Sequence, residues 1–98
     1  MTSDRQLSGG RLRPEDVQRV RFSPTKLRVG YDQNEVDDFL DRVEHELRSR
    51  SQGSSSFRRL SESEVRAQRF TASRFREGYA QNQVDAFMER IADELRSE

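Results

Sequence analysis

Apolar residues recur at Val36, Phe39, Leu40, Val43 and Leu47, with polar or charged residues between them. The same spacing returns at Val84, Phe87, Met88, Ile91 and Leu95, with Ala92 beside them. Steps of three and four place each set on one face of a helix. Each pattern predicts an amphipathic helix of about 18 residues, roughly 27 Å long. A shorter helix is predicted upstream of each. Pro14 suits a first helical turn, and Glu15 and Asp16 suit its positive end. In the second case Ser61 to Glu64 has the Ser-x-x-Glu form of a capping box. Between short and long helices lie "RFSPTKLRVG" and "RFTASRFREG", where helical periodicity is weak and Pro24, Gly30 and Gly78 interrupt it.

The two patterns are one pattern written twice. Set against itself at an offset of 48, the chain matches without a gap from Arg11/Arg59 to Ser49/Ser97, with roughly half the positions identical. Val17/Val65, Phe22/Phe70, Gly30/Gly78, Tyr31/Tyr79, Val36/Val84, Phe39/Phe87 and Leu47/Leu95 are among the identical pairs. Ahead of the first long helix, Asp32 with Glu35 three residues on predicts a capping box, and Tyr31 with Val36 a hydrophobic staple. The second helix keeps the staple through Tyr79 and Val84. It has Ala80 at the cap position, so a weaker start is expected.

One such helix cannot bury its own stripe, and two matched stripes can bury each other. The expected fold is therefore all-α: tandem helix–loop–helix repeats that pair their longer helices as a short coiled coil through Val36, Phe39, Leu40, Val43, Leu47, Val84, Phe87, Met88, Ile91 and Leu95. The expected organisation is a disordered tail over 1–10, a repeat over 11–49, a flexible linker over 50–58 and a second repeat over 59–98.

Composition agrees with a thin core. Hydrophobic residues make up 31% and charged residues 37%, and mean hydropathy is −1.10. Either unit alone is short of apolar residues, so the two are expected to fold together. There is no cysteine, which removes disulfides, thiolate nucleophiles and Cys-ligated zinc. No run reaches the length of a membrane span, and no signal segment opens the chain. The expectation is a cytoplasmic protein whose membrane contact, if any, is peripheral.

The formal net charge of zero conceals sorting. Residues 1–30 carry seven basic and three acidic side chains, and residues 31–50 carry three basic and seven acidic. Residues 51–79 carry six basic and three acidic, and residues 80–98 carry two and five. Each basic block sets one large apolar residue between cations: Lys26-Leu27-Arg28 and Arg74-Phe75-Arg76. An apolar wedge flanked by cations suits an anionic bilayer. The same spacing is equally served if Leu27 and Phe75 fold back into the core. His45 is the only histidine and lies off the stripe, so no metal site is expected. The carboxylates lie on amphipathic helices with no cleft between them, and no phosphate-cradling glycine loop is present. No enzyme activity and no cofactor are expected. The acidic long helices would repel nucleic-acid phosphate, which leaves a nucleic-acid-binding helical module as a distant alternative.

With these residues in view, each repeat resembles the DivIVA domain of bacterial cell-division and polar-growth proteins. The matching stretches are "RPEDVQRVRF" with "GYDQNEVDDFLDRVEHEL", and "SESEVRAQRF" with "GYAQNQVDAFMERIADEL". The resemblance implies a short helix, a loop and a parallel coiled coil, with an apolar and a basic residue at the loop tip contacting lipid. It thereby puts Leu27 with Arg28, and Phe75 with Arg76, at an anionic membrane surface on the cytoplasmic side. Val29 and Glu77 stand between these pairs and Gly-Tyr, a departure from the family's spacing. The implied partners are the membrane and further copies or other DivIVA-type proteins. The alternative is a soluble helical adaptor that binds such a protein without touching lipid.

Overall fold

The computed structural model describes residues 11–53 and 59–96. The tail expected over 1–10 lies outside the described residues, as does most of the linker. The order of elements is α1 (Pro14–Arg19), β1 (Pro24–Thr25), β2 (Gly30–Asp32), α2 (Gln33–Ser51), α3 (Glu62–Ala67), β3 (Ala72–Ser73), β4 (Gly78–Tyr79) and α4 (Gln81–Arg96). Helix α2 thus runs two residues past the repeat boundary at Ser49.

All four helices start where the sequence signals them. Asp16 accepts from the Arg13 N–H at 2.9 Å. Ser61 and Glu64 form the reciprocal capping box, with bonds of 3.2 and 3.0 Å. Asp32 caps α2 by accepting from the Glu35 N–H at 2.9 Å. The box expected there is only half made. The Glu35 carboxylate turns away and accepts from the N–H and hydroxyl of Thr71, at 2.7 and 2.9 Å.

The fold is not all-α. The weakly patterned segments form a four-stranded antiparallel sheet in the order β1-β4-β2-β3. Every strand pairs with a strand of the other repeat. Pro24 faces Tyr79, Thr25 faces Gly78, Gly30 faces Ser73 and Tyr31 faces Ala72. At the centre Tyr31 faces Tyr79. The Ala80 N–H donates to Ser23 O, and the Asp32 N–H donates to Thr71 O. Adding 48 to one partner and subtracting it from the other turns each relationship into its mate, so the repeats are related by an approximate two-fold axis between Tyr31 and Tyr79. Pro24, which has no N–H to donate, sits on an edge strand, where a strand tolerates it.

The sheet is also why both repeats read Gly-Tyr. A Cβ on Gly30 would lie 2.1 Å from the Thr25 hydroxyl oxygen, and one on Gly78 would lie 2.6 Å from Tyr31 O. Only glycine lets the two backbones close across the axis.

The two apolar stripes do share one core, together with Leu12, Val17, Leu60 and Val65. Val36, Val43 and Ile91 are fully enclosed, Phe39, Leu40, Leu47, Val84, Phe87 and Leu95 are buried, and Met88 packs at the edge. This is not a two-stranded coiled coil. The closest helix packing is α1 on α2 and α3 on α4. Phe22 crosses to the other repeat and meets Tyr79 and Phe87 at centroid distances of 5.3 and 6.0 Å. Phe70 does the same with Tyr31 and Phe39, at 5.5 and 5.9 Å. Thin stripes are thus completed by residues exchanged between repeats.

Candidate functional site

Two loops follow from this exchange. Residues 26–29 join β1 to β2, and residues 74–77 join β3 to β4. Both loops border the sheet from which α2 and α4 start. The long helices run the same way, because segment 11–16 closes one cleft with both Leu47, Arg48 and Ser51 of α2 and Glu94 of α4. The two loops therefore share the end of the molecule opposite that cleft.

The loop bases are tied down. Thr25 is buried, and its hydroxyl oxygen accepts from the Gly78 N–H at 3.2 Å. In the second loop the Ser73 hydroxyl oxygen accepts from the Phe75 N–H at 3.0 Å. The tips are not covered. Leu27 is 93% exposed and Phe75 is 89% exposed, and with Val29 they are the large apolar residues left in solvent among the described residues. Folding into the core, the other option open to Leu27 and Phe75 from spacing alone, is therefore not what these side chains do. Leu27 has φ of 61°, the left-handed region that a branched residue enters at a cost. Lys26, Arg28, Arg74 and Arg76 surround the two side chains and are exposed. Of these four, Arg76 alone has an ion pair among the described residues, 3.6 Å from Asp32.

At the other end, a carboxylate on each long helix clasps the start of the opposite repeat. Glu46 accepts from the Leu60 N–H at 3.1 Å, from Arg50 at 2.6 Å and from Arg59 at 3.3 Å. Glu94 accepts from the Leu12 N–H at 3.0 Å and from Arg11 at 2.8 Å. Burial alone would raise the Glu46 carboxyl. The Arg50 hydrogen bond, the Leu60 N–H and the charges of Arg50 and Arg59 outweigh it and bring the group below its ordinary 4.5. Near the sheet, the Tyr31 hydroxyl donates to Asp85 at 2.7 Å and the Tyr79 hydroxyl donates to Asp37 at 2.8 Å. Burial, then the Asp37 bond and charge, push Tyr79 up to about 12.

Helical periodicity points to none of these clasps. The signal that could have found them is the repeat itself: Leu12/Leu60, Asp37/Asp85 and Glu46/Glu94 are identical at positions where the stripe gives no reason for identity.

His45 is exposed. Among the described residues no group of three or more His, Cys, Asp or Glu side chains is placed to hold a metal ion. No described helix is long and apolar enough to cross a membrane. Comparison with protein-family models, with curated proteins and with solved structures gives no match.

Proposed function

We propose that this chain is a non-enzymatic, DivIVA-like protein that attaches peripherally to the inner face of a bacterial cell membrane and serves as a scaffold in cell division or polar envelope growth. The observation that carries the reading is the pair of loop tips. Leu27 and Phe75 are almost wholly exposed in a chain that buries nearly every other large apolar residue described. Each stands between cations at the same end of one body. Leaving such side chains in water has no benefit to the fold. Placing them in an acyl boundary gains roughly 1.5–3 kcal/mol each, and each neighbouring cation adds about 1 kcal/mol at an anionic surface. One tip alone binds only at about the millimolar level. Two tips on a rigid body act at high effective concentration, so the duplication supplies avidity. Scaffolding partners in this reading are further copies or other DivIVA-type proteins.

Co-sedimentation with phosphatidylglycerol-containing vesicles tests it. Phe75→Ser lowers binding more than tenfold, on the order of one buried ring. Leu27→Ser has a smaller effect, and the double variant loses binding. Added salt weakens the wild-type interaction through its cationic part. Equal sedimentation of wild type and double variant rejects the reading.

A further inference from the structure

The two loops hang from strands related by the two-fold axis, yet they differ in backbone, since Leu27 has φ of 61° and Phe75 does not share a positive φ. They are also unequal in chemistry. At the second tip Arg76 reaches back to Asp32, 3.6 Å away, and the Asp32 side chain is only 18% exposed. Asp32 belongs to the other repeat and is the N-cap of α2. The position equivalent to Asp32 is Ala80, which opens α4 without any side-chain acceptor. The position equivalent to Arg76 is Arg28, which therefore meets no carboxylate there. Arg28 and Lys26 have no ion pair among the described residues, and no acidic residue lies in loop 26–29. Loop 74–77 carries Glu77 as well.

We propose that the missing cap at Ala80 keeps Arg28 free, so that loop 26–29 reads the phosphate of anionic lipid headgroups while loop 74–77 contributes Phe75 as a wedge of low net charge. The inference rests on the membrane reading above. Ala80 is then a positioning residue: it touches no lipid and acts through the cation it leaves unpaired. It also sets a conflict between stability and binding. An aspartate at position 80 would accept from an early N–H of α4, as Asp32 accepts from Glu35, and would at the same time offer Arg28 an ion-pair partner as Asp32 does Arg76. The same asymmetry accounts for the weaker sequence signal at the start of α4.

The test measures thermal midpoints and binding of the full chain to vesicles of phosphatidylcholine with increasing phosphatidylglycerol. Ala80→Asp raises the midpoint by about 4–8 °C, the value of one helix cap in a chain this size. It weakens binding to phosphatidylglycerol vesicles about fivefold, the share of one cation. Ala80→Asn, which caps without charge, raises the midpoint and leaves binding at the wild-type level. Asp32→Asn releases Arg76 and strengthens binding by up to about fivefold. In an Arg28→Gln background Ala80→Asp has no further effect, because the cation it would capture is gone. If Ala80→Asp and Ala80→Asn bind alike while Phe75→Ser loses binding, this inference is overturned and the membrane reading stands. A further loss from Ala80→Asp in the Arg28→Gln background also overturns it, since the added charge would then act by general repulsion. Wild-type protein that sediments with neither vesicle type overturns the membrane reading and this inference with it.

Discussion

Tyr31 and Tyr79 are direct partners across the two central strands, and each hydroxyl reaches a carboxylate on the long helix of the opposite repeat, Asp85 and Asp37. One pair of residues thus ties sheet, helices and both repeats together at the axis. The two phenols share a backbone position and a bond type, so their loss should register as a weakening between repeats rather than within one.

Tyr79→Phe removes the bond to Asp37 and should cost about 1 kcal/mol. It also removes a pH effect. Tyr79 ionises at about 12 in the folded protein, against an ordinary 10.0. A raised pKa favours the protonated form on folding, so this contribution is complete below pH 10 and is lost as pH climbs towards 12. Tyr31 is also raised, first by its hydrogen bond to Asp85, so absorbance titration should show two late phenols in the wild type and lose the one near 12 in the variant.

Glu46→Gln should destabilise by roughly 2–4 kcal/mol, since it removes the buried charge on which Arg50, Arg59 and the Leu60 N–H converge. The carboxyl is lowered on folding. Its stabilisation is therefore present above 4.5 and disappears as pH falls through the lower folded value. Chemical denaturation at neutral and acid pH should find the gap between wild type and variant closing as pH drops.

Gly30→Ala forces a Cβ into the Thr25 hydroxyl, and Gly78→Ala forces one into Tyr31 O. Backbone cannot yield as a flexible side chain can, so Gly78→Ala should be the worse of the two, at about 3 kcal/mol. Equal midpoints for both variants and wild type, by circular dichroism, would show that the sheet does not close as described.

Val43→Asp places a carboxylate at a position with no exposure. The cost of several kcal/mol is on the order of the whole stability of a small domain. Loss of the cooperative thermal transition is expected. By contrast Phe75→Ser, at an exposed tip, should shift the midpoint by no more than about 0.5 kcal/mol equivalent.

The helices were legible because their signals are local. Three- and four-residue spacing identified the stripes, and Pro14, Ser61 and Asp32 marked starts that the structure keeps. The sheet was not legible. Its strands are two or three residues long, too short for alternation to show, and their partners lie in the other repeat. The coiled-coil expectation failed for a related reason. A stripe says that a face is buried and does not say what covers it, and Val17, Val65, Leu12 and Leu60 share that task. At the tips, the sequence located the residues, while their exposure became visible only once the exchanged strands had filled the core without them.

What the sequence determined by itself is what periodicity and repetition encode: two equal units, the faces of their helices, and the cation-flanked apolar residue in each loop. Each of these depends on residues within a turn or two of one another. The tertiary structure alone decided that strands exchange between repeats, that Phe22 and Phe70 cross the axis, that Glu46 and Glu94 clasp the opposite unit, and that Arg76 has a carboxylate where Arg28 has none among the described residues. Those outcomes depend on which distant groups a backbone brings within hydrogen-bond reach. A glutamate or an arginine reads the same in sequence whether its partner is water or the other half of the chain.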